Sequence, residues 1–227
     1  MQILLVHGLG RTALSMGRLA RDLRRAGAEP QLFAYLPAME RFDCIVRRLR
    51  QRLEWLAEAE YAVVGHSLGG LLLRAAIAQL APGVRPPRRL VMLGTPNQSP
   101  RLARRCRRWL LYRLISGDAG QTLASPARMA AIPIPSIPMT VVAGKTGPTF
   151  AWGPFPGEVN DGIVAVSEAR LGAHEEFIEL PVRHTFMMNN RRVRQVIRDR
   201  CMGPAGYMPA FSGGKSSFPE AGFLVEV

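Results

Sequence analysis

The sequence predicts an α/β fold, a mainly parallel, doubly wound sheet with helices on both faces. Short, continuously apolar runs recur along the chain, as strands buried on both faces of a parallel sheet require. Between them apolar residues return at helical spacing, with charge on the opposite side. At 227 residues the chain has room for one domain with a sizeable core.

The elements follow in order. "ILLV" (3–6) reads as a buried strand, and Met16, Leu19, Ala20 and Leu23 mark a first helix. "QLFAYL" (31–36) is a second strand. Phe42, Ile45, Val46, Leu49, Leu53 and Leu56 form the apolar stripe of a long helix. "YAVVGH" (61–66) is a third strand, followed directly by a helix apolar nearly all round, which should be buried. "RLVMLGT", "PMTVVAG" and "EEFIEL" supply three more strands, and Val193, Val196 and Ile197 a last helix.

Two regions break this alternation. Residues 98–137 hold a basic helix, "RLARRCRRWLLYRLI" (101–115), and a proline-rich stretch; they read as a helical lid or cap inserted in a domain spanning 1–202. Residues 203–227 form a Gly/Pro/Ser-rich tail with Phe211, Phe218 and Phe223, able to wrap the body, bind a neighbour or stay disordered.

Composition narrows the function classes. No apolar run approaches the ~20 residues of a membrane span, and "MQILLVHG" lacks the basic start of a secretory signal. A cytoplasmic protein, at most peripheral at a membrane, is the expectation. Cys44, Cys106 and Cys201 have no metal-type spacing and read as reduced thiols.

The net charge is +13, and 28 of the 30 basic residues are arginine. Between Tyr61 and Gly157 the only acidic residue is Asp118, against 11 arginines and one lysine. No nucleic-acid-binding motif accompanies this charge, so nucleic acid is not the expected partner. The basic helix instead offers a face for an anionic membrane surface, or simply a cap helix with its arginines in water.

Chemistry is signalled by "VVGHSLGG" (63–70). Gly65 and Gly69 flank Ser67 between a strand and a helix, where a tight turn projects the hydroxyl and the helix start aims amides at it. A serine needs a base, and the base needs a carboxylate to hold its tautomer. Of the four histidines, His7 and His66 adjoin the expected oxyanion loop and the turn itself. His174 lies before the sixth strand, and His184 lies after it, at the sheet end where α/β folds bind ligands. His184 is the favoured base. Asp161, in "VNDGIV", is the favoured acid, with Glu158 and then Asp118 as rivals.

These stretches together resemble the α/β-hydrolase superfamily, in its small lipase and esterase branch. "VHGLG" (6–10) is similar to the oxyanion loop, "GHSLGG" to the nucleophile turn, and "LGTPNQS" to the lipase segment after the next strand. "VNDGIV" resembles the acid turn and "RHTFMMNN" the histidine loop, all in the family's order. The resemblance covers roughly residues 1–202, without the two leading strands of larger members.

It implies a Ser67–His184–Asp161 triad, with the N–H groups of Leu9 and Leu68 as oxyanion donors. The activity implied is two-step hydrolysis of a small-molecule or lipid ester through an acyl-enzyme, with neither metal nor organic cofactor required. A thioesterase or acyltransferase would use the same residues. A non-catalytic relative that binds lipid or a partner through 101–115 is the alternative from another class. Phe150, Trp152 and Phe155 either line an acyl pocket or close their loop over the core. Trp109 lies on the basic helix's apolar side, which would cover the site.

Overall fold

The computed structural model describes residues 1–172 and 175–203. The tail beyond 203 and His174 lie outside the described residues. Six strands form one sheet in the order β2-β1-β3-β4-β5-β6: β1 (Gln2–Val6), β2 (Glu29–Phe33), β3 (Tyr61–His66), β4 (Leu90–Leu93), β5 (Met139–Gly144) and β6 (Glu176–Leu180). Every pairing is parallel.

The alternation inside each strand explains why the runs are continuously apolar. Leu4, Val6, Val63, Met92 and Val141 face one layer, with the stripe of α2 (Phe42–Leu56) and the buried helix α3 (Leu68–Ile77). Ile3, Leu5, Val64, Leu93 and Val142 face the other, where α1 (Gly17–Arg25) and α8 (Arg191–Met202) contribute Leu19, Leu23, Val193 and Ile197. Both faces are therefore dry, as an all-parallel sheet demands.

Two expectations need correction. The second strand is Glu29–Phe33 rather than 31–36. Tyr35 leaves it because its ring stacks on His7, 4.2 Å between centroids, and its hydroxyl donates to the His7 carbonyl at 2.7 Å. Pro30 is tolerated because β2 is an edge strand.

The basic helix 101–115 is not one helix. It ends at α4 (Arg101–Cys106), and the chain turns through extended Trp109 into α5 (Leu110–Leu123). α5 is itself broken at Gly117, whose φ of 52° is left-handed and whose position lies against the Pro37 carbonyl. With α6 (Pro126–Ala130), these helices make up the long β4–β5 crossover. A short α7 (Val166–Ala169) precedes β6.

The crossover is tied down at its root. Arg74 of α3, only 2% exposed, donates to Asn97 Oδ1 and to the Ile132 carbonyl, each at 2.8 Å. Arg101 donates its amide and its Nε to Glu168 Oε1 at 2.8 and 3.0 Å. No helix among the described residues is long and apolar enough to cross a membrane.

The strand-to-helix junction depends on backbone contact. A Cβ on Gly65 would lie 2.3 Å from the Gly70 nitrogen and 2.6 Å from the Gly69 carbonyl carbon. Gly65→Ala should therefore lower stability by about 2–3 kcal/mol in urea unfolding, because backbone rather than a flexible side chain must move. Gly17→Ala is the control: φ there is −61° with nothing within 4 Å of the new carbon, so stability should hold or rise slightly.

Candidate active site

Ser67 lies between β3 and α3, at the helix N-cap, with φ 53° and ψ −123°, the only non-glycine residue with positive φ among the described residues. Three glycines permit this turn. A Cβ on Gly69 would meet the Val6 and His7 carbonyls at 2.4 and 2.5 Å, and one on Gly8 would meet Ser67 Cβ at 3.0 Å. With Gly65, they let the helix start press against the ends of β1 and β3. The Ser67 amide donates to the Leu93 carbonyl at 2.8 Å, and its own carbonyl accepts from Gly70 N–H and the Thr95 hydroxyl.

Across the sheet end, His184 Nδ1 lies 2.7 Å from Asp161 Oδ2, with both side chains buried. The carboxylate is held on its other side, where Oδ1 accepts the N–H groups of Ile163 and Val164 at 2.9 and 2.8 Å. A backbone bond from His184 N–H to the Asp161 carbonyl at 3.0 Å locks the two loops together. Two backbone N–H groups and the imidazole thus surround the Asp161 carboxylate, which fixes the orientation of the His184 ring.

Two glycines at strand ends make room for this pair. A Cβ on Gly94, after β4, would lie 2.9 Å from His184 Nδ1 and 3.0 Å from Asp161 Oδ2. One on Gly144, at the end of β5, would lie 2.7 Å from Asp161 Cβ. Gly94 falls in "LGTPNQS" and Gly144 at the end of a strand, but what they make room for shows only in the folded arrangement.

The other two described histidines, His66 and His7, are braces. His66 Nε2 approaches the His184 carbonyl at 3.0 Å, and since a carbonyl can only accept, Nε2 carries the proton. Burial, with a lesser contribution from His184, holds the His66 pKa well below its ordinary value, so the ring stays neutral. Burial also lowers His7, whose Nδ1 reaches the Gly8 carbonyl at 2.9 Å. His66 as a support for the histidine loop was not legible in the sequence.

Ser67 and His184 line one cavity of about 430 Å³. Leu9 lines it as well, and Leu68 opens α3, so its N–H belongs to the amides that a helix start leaves without an intrahelical acceptor. The remaining wall is largely apolar, including Leu102, Ala103, Leu123 and Val164. Among the described residues no hydrogen bond engages Ser67 Oγ.

The aromatic residues expected at the pocket are elsewhere. Trp109, Phe150 and Trp152 are exposed, and the latter two stack on each other at 4.1 Å. Phe155 is fully buried beneath the Arg101 guanidinium, 5.4 Å from its ring centre, so it closes its loop rather than lining the cavity. Of the rival acids, Glu158 pairs with Arg101 and Ser167, and Asp118 with Arg128 and the Phe42 amide. Neither is hydrogen-bonded to His184.

No family model and no curated protein matches the sequence, but solved structures match the fold. The mature lipase BlEst2 of Bacillus licheniformis superposes with a TM-score of 0.69 at 20% identity, over 86% of this chain and 89% of that one. An extracellular α/β-hydrolase from a Paenibacillus species gives 0.59 at 16% identity, over 88% and 99%. The phospholipase PlaB of Legionella pneumophila gives 0.58 at 18% identity over 75% of this chain, which spans under half of PlaB's length, 45%. The chain has the α/β-hydrolase fold.

Proposed function

We propose that the protein is a serine carboxylester hydrolase, with Ser67 as nucleophile, His184 as general base and Asp161 as the orienting acid. The observation that carries this reading is the buried 2.7 Å contact between His184 Nδ1 and Asp161 Oδ2, on a ring that shares one cavity with Ser67. Asp161 holds the imidazole, and His184 Nε2 takes the Ser67 proton as Oγ attacks the ester carbonyl. The N–H groups of Leu9 and Leu68 receive the oxyanion, each such donor lowering the barrier by about 3 kcal/mol. The alcohol leaves with the proton from His184, and water repeats the sequence on the acyl-enzyme. The apolar wall suits an ester with an aliphatic acyl group.

The first experiment is hydrolysis of p-nitrophenyl esters of graded chain length. Ser67→Ala, His184→Ala and Asp161→Asn should each reduce kcat/KM by about 10⁴-fold or more. A fluorophosphonate should label Ser67 in the unmodified protein. Labelling without ester turnover would redirect the reading to thioesters, whereas neither labelling nor turnover would sink it in favour of a binding protein.

Gly94→Ala tests the room left for the acid–base pair. Displacing His184 and Asp161 by a fraction of an ångström should cost about 100-fold in kcat, with little change in KM. Near-normal turnover in a folded Gly94→Ala protein would show that the glycine serves only the turn.

A further inference from the structure

The β4–β5 crossover contains a ridge that neither the fold nor the proposed chemistry uses. Trp109, Leu110, Leu111, Leu114 and Ile115 stand between 49% and 70% exposed in one seven-residue stretch. A contiguous exposed apolar patch is rare on a monomer and marks a binding surface. On the neighbouring loop, Leu36 and Met39 are exposed as well, and Gly117 brings that loop against α5 through the Pro37 carbonyl.

Charge identifies the partner. Arg104, Arg105, Arg107, Arg108 and Arg113 are all exposed in the same segment. Arg104 reaches the Ser99 carbonyl, but Arg105, Arg107, Arg108 and Arg113 make no ion pair among the described residues. Elsewhere the arginines are commonly paired, as with Arg101, Arg128, Arg198 and Arg200. A patch that is both aliphatic and cationic matches a surface with hydrocarbon below and negative charge above. A second copy of this chain would bring arginines against arginines in a two-fold contact. A nucleic acid offers no counterpart to Leu110, Leu111, Leu114 and Ile115.

We propose that residues 104–115 dock the protein on anionic lipid bilayers, with Trp109 and the aliphatic residues entering the interface and the arginines meeting lipid phosphates. The segment is also a wall of the cavity over Ser67, through Cys106 and Tyr112. Docking therefore brings the site to the lipid surface, and the consequence that membrane lipid esters are its substrates rests on the esterase reading.

The test is co-sedimentation of the full chain, carrying Ser67→Ala so that binding is read independently of turnover. The probes are vesicles of phosphatidylcholine alone, and vesicles in which about a third of the lipid is phosphatidylglycerol. Partitioning onto the anionic vesicles should exceed that onto neutral ones by at least about tenfold, and should fall steeply in about 0.5 M NaCl. Arg105→Glu/Arg107→Glu/Arg108→Glu and, separately, Trp109→Ser/Leu111→Ser should each reduce it by about tenfold or more with melting temperature unchanged. Because the two variants alter different chemistry, misfolding of one leaves the other decisive. Equal binding to neutral and anionic vesicles, or binding indifferent to both variants, would overturn the proposal. So would a ridge-dependent dimer or a ridge-dependent complex with an oligonucleotide in protein that ignores vesicles. Vesicle binding by a protein that, with Ser67 intact, hydrolyses no ester and takes no fluorophosphonate label would refute the esterase reading and leave docking standing.

Discussion

Ser67 occupies a backbone conformation that costs a residue with a Cβ about 1–3 kcal/mol, and the remainder of the site is arranged around it. The strain persists because the surroundings over-determine the turn. The amide and the carbonyl of Ser67 are both bonded, to Leu93 on one side and to Gly70 and Thr95 on the other. Gly65, Gly69 and Gly8 bring backbone so close that no relaxed alternative fits without moving β1, β3 or α3. Only Oγ is left without a partner among the described residues, in the cavity that His184 also lines.

The imidazoles at this end of the sheet differ in their surroundings. In the proposed mechanism His184 becomes imidazolium during reaction, and a second cation beside it would oppose that step. The His66 ring lies 4.9 Å from that of His184, centre to centre, yet burial keeps it neutral. As a neutral donor it holds the His184 carbonyl. His7 is likewise neutral, stacked on Tyr35 under the loop that carries Leu9.

The strands and the tight turn at Ser67 were legible because each leaves a local signature, and the two residues favoured as acid and base, Asp161 and His184, are ones the fold brings into contact. Apolar runs mark β1, β3, β4 and β5, and a glycine-flanked serine between strand and helix marks the turn. Where tertiary contacts decide, the pattern misleads. Tyr35 looks like a strand residue and is pulled out by His7. Residues 101–115 have one helix's periodicity, yet the chain breaks after Cys106. Phe155 has the look of a pocket residue and is taken by Arg101. Gly94, although inside "LGTPNQS", and Gly144 carry no signal of this role, since what they make room for lies elsewhere in the sequence.

The crossover joins the site to the surface through its anchors. On one side Arg101 is tied to Glu168, whose second oxygen accepts the Ala165 amide in the segment that follows Asp161. On the other, Asp118 accepts from the Phe42 amide at 2.9 Å and pairs with Arg128. Between those points the chain has only the kink at Gly117 and the turn at 107–109 to absorb its path. Large apolar side chains stay outside there, although burying each would yield about 1.5–3 kcal/mol. A segment clamped at both ends cannot fold its middle onto the body without breaking one of these anchoring ion pairs. The exposed ridge and the wall of the cavity are therefore two faces of one constraint.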